Sequence, residues 1–200
     1  MKSNVCKIEK GTKDLSAILR ESEKVAVYNE LDHKQTMHLR LLCEELDGML
    51  PEIIGDFDGD LWFDMENGVC RLNVSIELAE LNRQNKDQLL EVAKNKRNAA
   101  AVGVIGKIRA SIENFFLDED VAEGFALTVG DFNMAACDFY HGVDYSHYWS
   151  LKQYRTAVKQ EERSEAWDEL EKSVIASVAD DIIIGIKGKH ADIIIIKNFA

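Results

Sequence analysis

The sequence lacks the features that mark exported and membrane-spanning proteins. Its 200 residues include one proline, Pro51, and the longest run of apolar residues and glycine, 99–106, covers eight positions. A membrane-spanning helix needs about 20. The N-terminus has no apolar stretch of the kind that secretion signals carry. We therefore expect a cytoplasmic protein that does not enter a membrane.

The four cysteines also lack the spacing of a metal ribbon or a redox motif. They are far apart, lie in apolar surroundings and form no CxxC pair: Cys6, Cys43, Cys70 and Cys137. This pattern predicts small buried hydrophobic side chains in a reducing compartment. The segment from Cys137 to His147 collects thiol, carboxylate and imidazole groups, but their spacing matches no metal motif, and we predict no metal site.

Acidic residues outnumber basic ones, 36 to 24, but the charge is unevenly distributed along the chain. The net charge of −12 argues against nucleic-acid binding, because phosphate backbones are held by basic surfaces. Between Asn82 and Arg109, however, seven basic residues stand against two acidic ones. This local excess of +5 is the first functional indication, and six residues within the segment are candidate ligands for a nucleotide or another anion: Lys94, Lys96, Arg97, Gly103, Gly106 and Lys107.

Composition predicts one folded domain over residues 1–200, since 46% of the residues are hydrophobic and 30% are charged. Hydrophobic periodicity predicts a strand at 5–9 and helices over 14–31 and 33–50, with Asp32 as the N-cap of the second helix and Pro51 at its end. Further helices are predicted over 85–94, 98–116, 150–160 and 164–178. Residues 117–148 are aromatic, acidic and irregular, which indicates an insertion or a covering loop.

Two hairpins complete the predicted elements. Asn67-Gly68 between two apolar runs is the strongest short hairpin signal, and Leu72, Val74 and Ile76 alternate with polar residues, so one face of this sheet should be buried. The consecutive isoleucines at 182–184 and 193–196 predict a second hairpin whose strands are central or buried on both faces. The fold class expected is α+β, a two-layer α/β sandwich with helices on one mixed sheet.

This order of elements, with Leu41-Leu-Cys-Glu-Glu-Leu-Asp-Gly-Met-Leu50 as its fingerprint, resembles the GHKL superfamily, the ATP-binding domain of histidine kinases and DNA gyrase. The small anti-sigma-factor kinases are the most similar branch. The resemblance implies a Bergerat-like architecture and a site for ATP or ADP with Mg²⁺. In that family a Glu-x-x-x-Asn box supplies the catalytic glutamate and the Mg²⁺ ligand.

The resemblance makes Glu44 and Glu45 the candidate catalytic residues. Counting from Glu44, the position of the family's asparagine is Gly48, and counting from Glu45 it is Met49, so neither offers an oxygen to the metal. The family's adenine-reading Asp-x-Gly-x-Gly motif is also missing after the hairpin. The alternative interpretation is that the two glutamates belong to a solvated helix face or to an ion pair along the helix.

The glycine pair Gly103 and Gly106 resembles a remnant of the family's phosphate-binding turn. Glycines at a helix start let backbone N–H groups approach an anion, and Lys107 follows directly. The alternative interpretation is a small-residue helix face that packs closely on the sheet.

From these observations we expect a divergent GHKL-type regulator that binds a protein partner, with weak or lost ATPase or kinase activity and a possible homodimer. The aromatic residues of 117–148 would pin that segment to the core or contribute to the partner surface. One alternative is an active Mg²⁺-dependent ATPase or serine kinase. A second alternative is a binder of a small anion or metabolite.

Overall fold

The computed structural model of the chain describes residues 1–9, 15–54, 57–77, 106, 147–159, 165–187 and 190–200. Within them, the first half contains β1 (Cys6–Glu9), α1 (Leu15–Tyr28), α2 (His33–Ile54), β2 (Asp58–Glu66) and β3 (Val69–Glu77). The second half contains β4 (His147–Ser150), α3 (Leu151–Lys159), α4 (Glu165–Lys172), α5 (Val174–Val178), β5 (Asp181–Lys187) and β6 (His190–Asn198). The predicted helices over 85–94 and 98–116 lie outside the described residues, except for Gly106, which is helical.

The strands form one six-stranded sheet in the order β1-β2-β3-β6-β5-β4. Each described pair is antiparallel, so the fold is α+β as expected, but the expectation of a mixed sheet is corrected in this detail. The two hairpins β2–β3 and β5–β6 meet along a nine-residue ladder between β3 and β6. This ladder places the two predicted hairpins side by side at the centre of the sheet.

The β2–β3 turn confirms the prediction from Asn67-Gly68. Both residues have positive φ, 51° at Asn67 and 77° at Gly68, as a two-residue hairpin turn of type I′ requires. A Cβ on Gly68 would also lie 2.9 Å from the Cβ of Ala200. Glycine is therefore needed here both for the turn and for the close approach of the C-terminus.

One face of the sheet packs against the helices. Along β3 the buried residues Cys70, Leu72, Val74 and Ile76 alternate with half-buried polar ones, which confirms the predicted alternation. Their side chains join residues of α1, α2, α3 and α5 in a single hydrophobic cluster. On the opposite face Ile183 and Ile194 are also buried, as expected for strands near the centre of the sheet.

Helix α2 begins at its predicted cap and ends later than predicted. The Asp32 carboxylate accepts a hydrogen bond from the Gln35 backbone N–H at 2.8 Å, and the Gln35 side chain accepts one from the Asp32 N–H at 2.9 Å. This reciprocal pair is a capping box. The helix then continues past Pro51 to Ile54, so the expectation that Pro51 ends the helix was wrong; the proline removes one backbone donor but does not stop the last turn.

Three further boundaries differ from expectation. Helix α1 ends at Tyr28, before the predicted 31, because Glu30 adopts a left-handed conformation (φ 54°) and the Leu31 N–H donates to the Ala26 carbonyl. The helix predicted over 164–178 is divided into α4 and α5 by Ser173, whose side chain caps α5. The last two residues of the predicted irregular segment 117–148 belong to strand β4. Residues 117–146 lie outside the described residues.

Polar contacts tie α3 to β5 and to the end of α5. The Asp181 carboxylate accepts hydrogen bonds from the Ser150 hydroxyl and the Lys152 backbone N–H, each at 3.0 Å, at the start of α3. Arg155 donates to the carbonyl oxygens of Ala176 and Ala179 at the end of α5. These bonds satisfy helix-terminal groups that would otherwise lack partners.

Two glycine substitutions are expected to change stability in opposite directions. A Cβ at Gly48, inside α2, would meet no heavy atom within 4 Å, so Gly48→Ala should raise the free energy of unfolding by about 0.5–1 kcal/mol through helix propensity. A Cβ at Gly59 would lie 2.7 Å from the Ser75 carbonyl oxygen, and Gly59→Ala should therefore lower it by about 1–3 kcal/mol. Urea denaturation measures both. A loss of stability in Gly48→Ala would contradict the placement of this residue on an open helix surface.

Candidate functional site

Helix α2 carries the predicted catalytic glutamates, and its geometry assigns them different surroundings. Six residues at helical spacing face the sheet and are buried: Leu39, Leu42, Cys43, Leu46, Met49 and Leu50. The opposite side, with Arg40, Glu44 and Gly48, is exposed to solvent. Between them runs a half-buried flank, on which His38, Leu41 and Glu45 recur three and four residues apart.

Glu44 forms an ion pair along the helix. Its Oε1 lies 2.9 Å from the Nε of Arg40, one turn earlier, and both side chains are well exposed. An exposed pair of this kind adds about 0.3–0.5 kcal/mol to stability. The geometry of Glu44 is therefore that of the alternative interpretation, a solvated ion pair.

Glu45 lies on the half-buried flank of α2, one helical turn after Leu41. Partial shielding from water is what a carboxylate that positions a reacting group needs. Of the two candidates, Glu45 is the one that is partly shielded from water.

Gly48 and Met49, which the sequence resemblance compares with the GHKL metal ligand, both lie on this helix. Gly48 has no side chain and faces solvent, while the Met49 side chain is only 2% exposed and belongs to the core. Mg²⁺ takes oxygen ligands in near-octahedral geometry. Neither Gly48 nor the buried Met49 side chain offers an oxygen ligand to such an ion.

The candidate anion-binding residues fall almost entirely outside the described part of the chain. Lys94, Lys96, Arg97, Gly103 and Lys107 are not described, and Gly106 is a half-exposed helical residue. The last described residue before this basic segment is Glu77, at the end of β3. Glu77 pairs with His190 of the neighbouring strand β6.

A small cavity that sequence reasoning missed lies between β1 and the second half of α2. Its volume is about 30 Å³, and its wall is mostly apolar, with the Cys43 thiol on one side and Lys7, Glu9 and Asp47 among the lining residues. Partial burial raises the pKa of the Asp47 carboxyl above its usual value. The volume suffices for a water molecule and is about a tenth of a typical ligand pocket.

Three of the four cysteines confirm the prediction of buried, unpaired thiols. Cys6, Cys43 and Cys70 are free and buried, and Cys137 lies outside the described residues. Burial raises the pKa of the Cys70 thiol to about 12, and it raises the pKa of the Cys43 thiol further above its ordinary value. Because the thiolate is the reactive form, these groups act as packing residues and not as nucleophiles.

Glu21 on α1 is a buried carboxylate that sequence reasoning also missed. It accepts a hydrogen bond from the Lys24 ammonium on the same helix and lies 3.2 Å from the Asn4 amide nitrogen at the N-terminal strand. The bonds from Lys24 and then Asn4 lower the pKa of Glu21, against the opposing effect of burial. These contacts tie the N-terminal strand to α1, and their signal in the sequence is weak because Asn4 and Glu21 are far apart along the chain.

Comparison of the chain with protein-family models, with curated proteins and with solved structures gave no match. In the described part of the chain no group of three or more His, Cys, Asp or Glu side chains is arranged to hold a metal ion. No helix among the described residues has both the length and the apolar character required to cross a membrane.

The lowered pKa of Glu21 predicts a specific pH dependence of stability. A carboxylate whose pKa is depressed in the folded state contributes stability that is complete above its unfolded-state pKa of about 4.3 and is lost as the pH falls through the folded-state value. We expect Glu21→Gln to lower the free energy of unfolding at pH 7 by about 1–3 kcal/mol. The difference from wild type should shrink below about pH 4.

Urea denaturation at several pH values measures this effect, and Glu23→Gln is the matched control because Glu23 is exposed on the same helix. The control should lie close to wild type at each pH. An equal loss of stability for both variants, or a Glu21→Gln difference that does not change with pH, would contradict the assignment.

Proposed function

We propose that this chain is a divergent GHKL-type regulatory protein of the cytoplasm, which acts by binding a protein partner and has weak or lost ATPase or kinase activity. The proposal rests on two grounds, the sequence resemblance and the geometry of α2. Nucleotide or another anion would be held by the basic segment that follows β3.

The arrangement of the described elements supports the proposed kinship. The family order of a box helix, a hairpin, a basic stretch and a terminal hairpin is matched by α2, β2–β3, the segment after Glu77 and β5–β6. The terminal hairpin pairs with the first one, and α2 packs on the sheet that they form.

The placement of residues 48 and 49 is the observation that carries the proposed loss of catalysis. Met49 is held in the core by the apolar stripe of α2, so its side chain cannot turn outward without exposing buried surface. Gly48 supplies no side-chain atom at all. A nucleotide bound here would lack the oxygen ligand by which the family joins Mg²⁺ to the phosphates, and phosphoryl transfer depends on that ion.

Two observations favour the alternatives. Glu45 lies on a shielded flank, as an active ATPase or serine kinase would require, provided that another oxygen ligand replaced the missing asparagine. The local excess of +5 between Asn82 and Arg109 favours binding of a small anion without any catalytic step.

Calorimetric titration with ATP, with and without Mg²⁺, tests the proposal together with an assay of phosphate release. We expect binding that is weak and nearly the same with and without the ion, and no turnover above a protein-free control. Glu45→Ala and Glu44→Ala should both leave this result unchanged.

The variant pair also separates the alternatives. Mg²⁺-dependent binding with phosphate release that is lost in Glu45→Ala and retained in Glu44→Ala would overturn the proposal and establish an active enzyme. Binding of inorganic phosphate as strong as that of ATP would favour the anion binder. Glu44→Ala is a suitable control because it removes only the exposed pair with Arg40.

A further inference from the structure

The outer side of α2, which faces away from the sheet, is open to solvent. With 100° between successive residues of a helix, five residues lie within about 60° of the direction opposite the buried stripe: Met37, Arg40, Leu41, Glu44 and Gly48. We call these five residues the outer surface of α2. Met37 at its centre is 49% exposed, and a Cβ on Gly48 would meet no heavy atom within 4 Å. The surface thus combines a large apolar side chain with a position where another chain can come close.

Charge is divided between the two halves of this helix. Residues 33–43 contain two basic residues and no acidic one, whereas residues 44–54 contain four acidic residues and no basic one. Exposed side chains are found in both halves: Lys34 and Arg40 in the first, Glu44 and Asp47 in the second. The outer side of α2 is therefore positive toward its N-terminus and negative toward its C-terminus.

This distribution is the reverse of the one that stabilises an isolated helix. The helix dipole favours acidic side chains in the first turn and basic side chains in the last turn. Helix α2 has no acidic residue in its first turn and no basic residue in its last. The electrostatics of the helix itself does not explain the pattern, whereas a contact with another charged surface would.

A surface with one positive and one negative half is complementary to a second copy of itself. If two α2 helices pack antiparallel through their outer sides, a two-fold axis places the positive half of each against the negative half of the other. Met37 of each copy can then lie over Gly48 of the other, where the missing side chain leaves room for it. Methionine is flexible and adapts to such a gap.

The same arrangement brings opposite charges together near the axis. With Met37 opposite Gly48, Arg40 of one copy lies level with position 45 of the other, and the two-fold axis brings together the same flank of each helix. Glu44 and Asp47 are on the flank that carries Arg40. Arg40 also pairs with Glu44 in its own chain, but a guanidinium has five donors and can serve both copies.

We infer that the outer surface of α2 is the contact between two copies of this chain, which cross antiparallel about a two-fold axis. The inference does not rest on the proposed function, and no nucleotide takes part in the contact. One pair of crossing helices buries less than the roughly 800 Å² per partner of a standard stable interface, so the dimer should be weak and dependent on concentration.

Sedimentation velocity over about 1–300 µM without nucleotide tests the inference, since a weak interface should dissociate within this range. The weight-average mass of the wild type should rise from 22.6 kDa toward twice that value. Met37→Glu should remain monomeric throughout, because it places a carboxylate at the centre of the contact.

Val5→Glu is the matched control for Met37→Glu. Val5 is 51% exposed, and its neighbour Cys6 contacts α1 through the Ala17 carbonyl, so the Val5 side chain points to the other side of the sheet. The control adds the same charge to the chain and should associate like the wild type.

A pair of charge reversals tests the antiparallel geometry itself. Arg40→Glu brings carboxylates together across the axis and Glu44→Arg brings guanidinium groups together, so each variant alone should associate about tenfold more weakly than the wild type, or less. An equimolar mixture of the two variants places opposite charges at both ends of the contact and should associate about as strongly as the wild type.

Three results would overturn the inference: a wild type that stays at 22.6 kDa over the whole range, a Met37→Glu variant that associates like the wild type, or a mixture that associates no better than its components. Circular dichroism shows whether each variant keeps the helical content of the wild type, so that a loss of association is not a loss of folding.

Discussion

The ladder between β3 and β6 is the interaction on which the rest of the structure depends. It joins Val69–Glu77 to His190–Asn198, segments more than a hundred residues apart in sequence, and it makes one sheet from two hairpins. Bringing together two segments so far apart in sequence costs loop-closure entropy. The compensation comes from burial, because α2 packs on residues of both hairpins in one core, and the Gln35 side chain of α2 donates to the carbonyl of Phe199 just beyond β6.

The elements that sequence reasoning predicted well are those specified by local chemistry. Asn67-Gly68 fixes a two-residue turn because both positions need positive φ, and Asp32 caps α2 through a bond to a residue three positions away. The elements that it missed are decided by distant residues. Strand β4 exists because it pairs with β5, and α2 continues past Pro51 because its last buried residues, Met49 and Leu50, hold this end of the helix on the core. A proline rule that considers the backbone alone does not include that packing.

The candidate site likewise has features that local sequence predicts and features that only the packing of distant residues decides. Two adjacent glutamates on a helix are about 100° apart, so the sequence could say that they differ in exposure but not which one faces solvent. That choice is made by the sheet on which α2 packs, and it gives Glu44 the solvent side and Glu45 the shielded flank. The same packing buries Met49, one of the two positions that the resemblance compares with the family's Mg²⁺-binding asparagine. The buried Glu21 and the cavity beside Cys43 depend on the N-terminal strand, which local patterns on α1 and α2 do not reveal.

The central claim is that the two hairpins and α2 form one cooperative unit around the β3–β6 ladder. Native-state hydrogen exchange, resolved by residue, tests it most directly, because amides that open only in global unfolding share the same highest protection. The account predicts that the ladder amides of β3 and β6 and the amides on the buried side of α2 share one opening free energy. That value should equal the free energy of unfolding measured by urea denaturation. Fast exchange of the β5–β6 hairpin while β2, β3 and α2 stay protected would show that the terminal hairpin opens independently and would contradict the claim.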